Sequence, residues 1–292
     1  MAVYEHSYKP YAGPMTAGWS RPLVIPRHMF GAIFQSKVFV GFFAFCFACP
    51  LVMAILIYLH HNLNALKILE LNPSNLIPID SYFFLVYCRF QFAMAFLLTV
   101  IIGPILISRD LTNNALPLYL SRPFSRAEYV LGKGCVLGFL LSAITWVPGL
   151  VLCILQVCLE GTGWLRSNWW VAGSIVLASL VWITILTLIA MSLSAWVKWR
   201  IGASALLFAL FMMPSVAAAI INGLFKTMWG NLISISQVLD DFTYGVFREP
   251  RPRIFDFGSP PPLIADWLVL ALAAGLCLMV LSVKIKAYEV SR

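Results

Sequence analysis

Charge is what this chain has least of: Asp, Glu, Lys and Arg make up 11% of its 292 residues, where a soluble domain carries about 25%. That scarcity, beside a hydrophobic content of 61%, excludes an ordinary water-soluble fold. Chemistry is also sparse. There is no GxxxxGK[ST] phosphate loop, so the chain is not expected to hydrolyse ATP itself, and no HExxH zinc motif. His6 and His28 precede the first apolar run, and His60 and His61 close it, which speaks against paired haem ligation between helices. No Asp or Glu falls in the middle of an apolar run, so a proton-relay carrier has no obvious group to carry its proton. The expectation is a chain that is not an enzyme, with no cofactor, metal or catalytic residue of its own.

Long apolar runs are abundant. Charge-free intervals cover 38–66, 90–108, 134–159, 167–197, 201–225 and 267–283. About 20 apolar residues cross a hydrocarbon layer of about 30 Å, so these predict an all-α integral membrane protein with six transmembrane helices, the second and sixth lengthened by flanking residues. Lys and Arg divide thirteen to six between the two sets of connections, with Arg89 inside a span. The positive-inside rule then puts both termini in the cytoplasm. The net charge of +8 follows from that bias, not from nucleic-acid binding. All seven cysteines lie in or beside the apolar runs and read as small hydrophobes. Some 37 fairly polar residues precede the first span, so no cleavable signal peptide is visible, and that span would itself target the membrane.

Residues 1–26, with four prolines, read as an extended cytoplasmic tail. Residues 27–37 place Met29, Phe30, Ile33 and Phe34 at helical spacing, which suits a short interfacial helix or an extension of the first span. The six-span domain then occupies 38–284, and 285–292 form a cytoplasmic end. Within it, the second connection, 108–133, is a basic, proline-punctuated cytoplasmic loop holding Arg109, Arg122, Arg126 and Lys133. Ser125 and Glu128 have capping-box spacing, and Phe124 and Tyr129 that of a hydrophobic staple, marking the start of the third helix. Asp110, Thr112, Asn113 and Asn114 offer caps for a short helix upstream. The external connection, 226–262, divides in two: a charge-free stretch, 227–239, reads as a re-entrant or interfacial helix, and a charged, proline-rich solvated loop begins at Asp240.

Arg89 and Gln91 are the polar pair inside the second span. They line a polar pathway, or Arg89 snorkels outward or pairs with an acid of an outer loop. Pro50, Pro104, Pro148 and Pro214 each remove one helix hydrogen bond and permit a kink. Gly134 and Gly138 form a GxxxG, and residues 202–205 a small-residue surface, for packing within the chain or on a partner.

The stretch LPLYLSRPFSRAEYVLGK, Leu116 to Lys133, resembles the second connection of permease subunits of ABC-2 type ABC transporters, through Leu116, Leu118, Leu120, Pro123, Ser125, Arg126, Glu128, Leu131, Gly132 and Lys133. The order of an interfacial helix, six spans and a long fifth connection is similar as well. Arg109 to Asn114 departs from the Glu-rich, glycine-containing run that members often carry, leaving Asp110 as the acidic candidate before Glu128. The resemblance implies a plasma (inner) membrane permease, commonly an exporter, working as a homo- or heterodimer. A separate cytoplasmic ABC ATPase would bind the ATP and drive the spans through 108–133, with Arg109, Asp110, Arg122 and Lys133 among the coupling residues. A non-transporting membrane anchor or assembly subunit of an enzyme complex is the alternative.

Overall fold

A computed structural model describes residues 21–62, 78–113, 126–197, 199–251 and 261–284. Regular structure among them is helical: α1 (Arg21–Phe34), α2 (Lys37–Phe45), α3 (Ala48–His61), α4 (Ser81–Thr112), α5 (Arg126–Ile144), α6 (Trp146–Glu160), α7 (Thr162–Trp196), α8 (Arg200–Phe225), a 3₁₀ turn (Trp229–Ile233), α9 (Ile235–Val246) and α10 (Leu263–Lys284). Six segments are long and apolar enough to cross a membrane: Lys37–His61, Ser81–Ser108, Ala127–Glu160, Thr162–Trp196, Ile201–Phe225 and Leu263–Lys284. This is the build of a multi-pass membrane protein.

The apolar windows of α4 and α7 are 65% and 61% buried within the protein, against 17%, 17% and 11% for the first, fifth and sixth spans, so α4 and α7 are the centre of the bundle. Small residues let the two approach. A Cβ added to Gly103 would lie 2.7 Å from that of Ala190, and Phe92 stacks on Trp182 at 4.9 Å nearby. Gly134 faces Met191 and Gly138 faces Ile183, so the GxxxG of α5 packs on α7 within the chain.

The four prolines break or open their helices, and each opened turn receives a side chain from another element. Pro50 has no N–H for the carbonyl of Cys46, and Gln91 Nε2 donates to that oxygen instead at 3.1 Å. Pro104 likewise frees Val100, whose oxygen accepts from Ser204 Oγ at 2.9 Å. This contact uses the small-residue surface of α8. Before Pro148 the third span divides at Thr145, where Tyr87 Oη donates to the Thr145 carbonyl at 2.7 Å. In the turn of α8 before Pro214, Ser236 Oγ donates to the Phe211 carbonyl at 3.2 Å. Deep in hydrocarbon the carbonyls of Cys46 and Val100, freed by Pro50 and Pro104, have no water to turn to, so a neighbour must supply the donor.

Three boundaries differ from the sequence expectation. The first helix is already formed at Arg21, six residues before the expected 27, and ends at Phe34, before Lys37. Pro26 lies inside it and is buried. Its stripe of Met29, Phe30 and Ile33 packs on protein, with Phe30 edge-on to Phe139 of α5 at 5.4 Å. Residues 1–20 and 285–292 lie outside the described residues. Second, α4 continues through Thr112, so Asp110 and Thr112 extend the span instead of capping a separate helix; Thr112 Oγ1 donates back to Ser108 O at 2.8 Å. Third, the solvated loop expected from Asp240 is still helix as far as Val246.

Candidate functional site

At the end of the bundle where α4 meets α5, the two helices that flank the second connection are tied together. Lys133 Nζ lies 2.7 Å from Asp110 Oδ2, with side chains 4% and 14% exposed. Tyr129 Oη donates to the same oxygen at 2.7 Å, and the ammonium stands 5.5 Å from the Tyr129 ring centre. Tyr129 and Lys133 are one helical turn apart, so both reach one carboxylate from one face of α5. Removing one member of so buried a pair costs about 3–5 kcal/mol. Asp110 and Lys133 are thus turned inward, holding the ends of the connection. Glu128 stands in the first turn of α5, half-buried, where a negative charge suits the helix dipole. Arg109 and Arg126 belong to α4 and α5. Leu116, Leu118, Leu120, Arg122, Pro123, Phe124 and Ser125, and with them the capping box and staple, lie outside the described residues.

Just inside this clasp α4 is opened by a wedge. Ser194 Oγ of α7 accepts from the amides of Ile107 (3.1 Å) and Ser108 (2.8 Å) and donates to the carbonyl of Pro104 at 2.9 Å. A hydroxyl inserted into the hydrogen-bond ladder is an identifiable cause of helix bending. It locates a joint between the core of α4 and its last turn at Asp110.

At the opposite end the connection after α8 folds back between the helices. Gly230 N donates to Asn222 Oδ1 at 2.9 Å, and Gln237 Nε2 to Ser215 O at 3.3 Å. With Ser236 on the Phe211 carbonyl, the chain has descended to the twelfth of the 26 residues of α8. Ser234 turns it, accepting from Gln237 N as the cap of α9. Helix α9 then climbs along α7: Trp182 Nε1 donates to Thr243 Oγ1 at 3.1 Å, Ser174 Oγ to Val246 O at 3.1 Å, and Arg248 stands 5.0 Å over Trp170. Val238, Leu239 and Phe242 are buried, with Asp241, Thr243 and Tyr244 beside them. Irregular backbone of this kind is tolerated inside a bundle because protein satisfies it.

Arg89 meets this element. Its Nη1 donates to Tyr244 Oη at 2.7 Å, its Nη2 lies 3.6 Å from Asp240 Oδ2, and the guanidinium is 5.2 Å from the Tyr244 ring centre. Of the options read from sequence, the geometry displays pairing with an acid, here one in the connection after α8. Gln91, two residues on, is fully buried and engaged with the Cys46 carbonyl.

A second charged group joins the same element to α10. Arg251 lies 2.9 Å from Asp241 Oδ2 and 3.2 Å from Asp266 Oδ2, and Asn231 Nδ2 donates to Asp241 Oδ2 at 2.9 Å. Burial pushes the Asp241 carboxyl above its ordinary range, with Asn231 and Arg251 pulling it back down. Tyr244, Ser194 and Asp266 were not singled out from sequence, and Tyr129 was read only as half of a hydrophobic staple. Only spatial partners give them meaning, although the Tyr129–Lys133 spacing was a usable signal.

The sequence matches no known protein-family description. No curated protein matches it either.

Proposed function

We propose that this chain is the membrane subunit of an ATP-driven transporter of the ABC-2 type, an exporter energised by a separate cytoplasmic ATPase through residues 108–133. On this reading the Lys133 end faces the cytoplasm at an inner (plasma) membrane, and a second permease copy or paralogue completes the pathway. The resemblance of Leu116 to Lys133 suggests the class, and the absence of a phosphate-binding loop is consistent with an energy source outside the chain.

The observation that carries the reading is the Asp110–Lys133–Tyr129 clasp. A loop joined to two helices by a buried ion pair delivers displacement to both together, and α4 transmits it to α7, on which it packs along its length. The wedge at Ser194 gives that displacement a place to bend. An exposed loop without such a tie would dissipate the same push in its own flexibility.

The test is affinity purification from native membranes in mild detergent. A stoichiometric ABC ATPase is expected to copurify, and Glu128→Arg is expected to abolish transport-coupled ATP hydrolysis while membrane insertion stays normal. Copurification of a redox or synthase subunit instead, or coupled hydrolysis unchanged in Glu128→Arg, overturns the proposal.

A further inference from the structure

The group formed by Arg251, Asp241 and Asp266 holds two carboxyls against one guanidinium, and none of the three is open to solvent. Asp266 is 0% and Asp241 7% exposed, and the Arg251 side chain is 14% exposed. If both carboxyls were ionised, one negative charge would remain without compensation. Among the described residues, the other charges at this end are already committed or distant. On α4, Arg89 is taken by Asp240 and Tyr244. Beyond α9, Arg248 lies over Trp170, and Glu249 accepts from Ser81. Helices α7 and α8 offer only Arg166 and Lys226 near this end, both exposed.

Hydrogen bonding and burial distinguish the two carboxyls. The backbone N–H of Gly230 can only donate, so Asn222 Oδ1, 2.9 Å away, is the acceptor. Asn222 Nδ2 must then donate to Asn231 Oδ1 at 2.7 Å, which fixes Asn231 Nδ2 as the donor to Asp241 Oδ2 at 2.9 Å. Arg251 Nη1 stands 2.9 Å from that oxygen as a charge contact, without hydrogen-bond alignment. Asp241 thus takes one hydrogen bond and one close positive charge, and both favour its ionised form. Asp266 has Arg251 on Oδ2 at 3.2 Å, and its Oδ1 is buried with no partner. It stands in the first turn of α10, where backbone amides are free to serve a carboxylate, yet none bonds to Oδ1. A buried anionic oxygen without a donor is costly, whereas a neutral carboxyl in the same place costs far less.

We infer that Asp241 and Asp266 bind one proton between them, resident on Asp266, so that the junction of α9 and α10 is a proton-binding site. The proton keeps the Arg251 cluster neutral while α9 is seated. Lifting α9 away would admit water to both carboxyls and release the proton, so acidity at this end favours the seated arrangement. The stoichiometry belongs to the pair: with either carboxyl removed, the other balances Arg251 and needs no proton.

Infrared spectra of the purified full chain in lipid nanodiscs, in H₂O and D₂O, test this directly. At pH 7 the wild type is expected to show the exchange-sensitive carbonyl stretch of about one protonated carboxylic acid per chain. Asp266→Asn and Asp241→Asn are each expected to lose it. A wild-type spectrum without that band overturns the proposal, as does a band that survives either substitution. Thermal stabilisation by sodium or potassium with no band would assign the site to a metal cation instead and also overturn it. Should a variant fail to fold, the wild-type spectrum alone decides, because exposed carboxyls are ionised at that pH.

Discussion

Gln91 donates its side-chain amide to the carbonyl of Cys46 at 3.1 Å, the oxygen that Pro50, four residues on, has no N–H to serve. A proline in the first span is thereby made good by an amide in the second. Loss of the donor should leave a buried carbonyl unpaired, so Gln91→Leu is expected to destabilise the protein by about 1–3 kcal/mol. Pro50→Ala restores a backbone N–H and should recover most of that loss in the double variant. Unfolding in mixed micelles reads both; equal losses in the single and double variants would refute the pairing.

The Asp110–Lys133 pair is buried, with Tyr129 on the same carboxylate oxygen. Asp110→Ala should lose about 3 kcal/mol, because it strands an ammonium. Tyr129→Phe removes one hydrogen bond and should lose about 1–2 kcal/mol. A Tyr129→Phe loss as large as that of Asp110→Ala would mean that ring packing, not the carboxylate, holds the clasp.

Close approach of α4 and α7 rests on Gly103, where a Cβ would meet Ala190 at 2.7 Å, while Gly173 has nothing within 4 Å. Gly103→Ala is expected to destabilise by about 1–3 kcal/mol through overpacking. Gly173→Ala, in the open interior of α7, should instead stabilise by about 0.5–1 kcal/mol. Thermal melts of the two variants should shift in opposite directions.

Ser194 serves three backbone groups of α4, whereas the exposed Ser282 bonds only within its own helix. Ser194→Ala should therefore cost about 1–3 kcal/mol, and Ser282→Ala should stay within about 0.5 kcal/mol of wild type. Faster hydrogen exchange at the amides of Ile107 and Ser108 in Ser194→Ala would place the loss at the joint.

The Asp241 carboxyl is raised above its ordinary range, chiefly by burial. A raised folded-state value means that the folded protein binds the proton more tightly than the unfolded one. That contribution to stability is complete below the ordinary carboxylate range and is lost as pH rises through the raised value, by at most about 1.4 kcal/mol per pH unit for each proton. Melting temperatures of wild type and Asp241→Asn are therefore expected to diverge with pH, the variant gaining on the wild type as pH increases from 4 upward. A constant difference across that interval would contradict the shift.

The six spans were legible without a structure because each must hide its own backbone and present an unbroken apolar surface, a property written in consecutive residues. The prolines were legible for the same reason: they are local. Asp240 illustrates what was not. Its charge suggested solvent, yet α9 continues through it, because Val238, Leu239 and Phe242 supply a buried face and Arg89 supplies a countercharge from another helix. Nothing near Asp240 in sequence announces Arg89, just as nothing near Pro104 announces Ser204 or near Ser108 announces Ser194.

By itself, then, the sequence determined that the chain is a helical membrane protein with six spans and polar, basic connections, since hydrophobic run length and charge spacing act residue by residue along the chain. Only the tertiary structure decided which neighbour serves the carbonyls that Pro50 and Pro104 leave open, that Lys133 holds Asp110, and that the fifth connection folds back to put Arg251 between two aspartates. Those partners are chosen by burial: once water is excluded, a polar group must bond to whatever the fold brings beside it, and that is set by how helices pack.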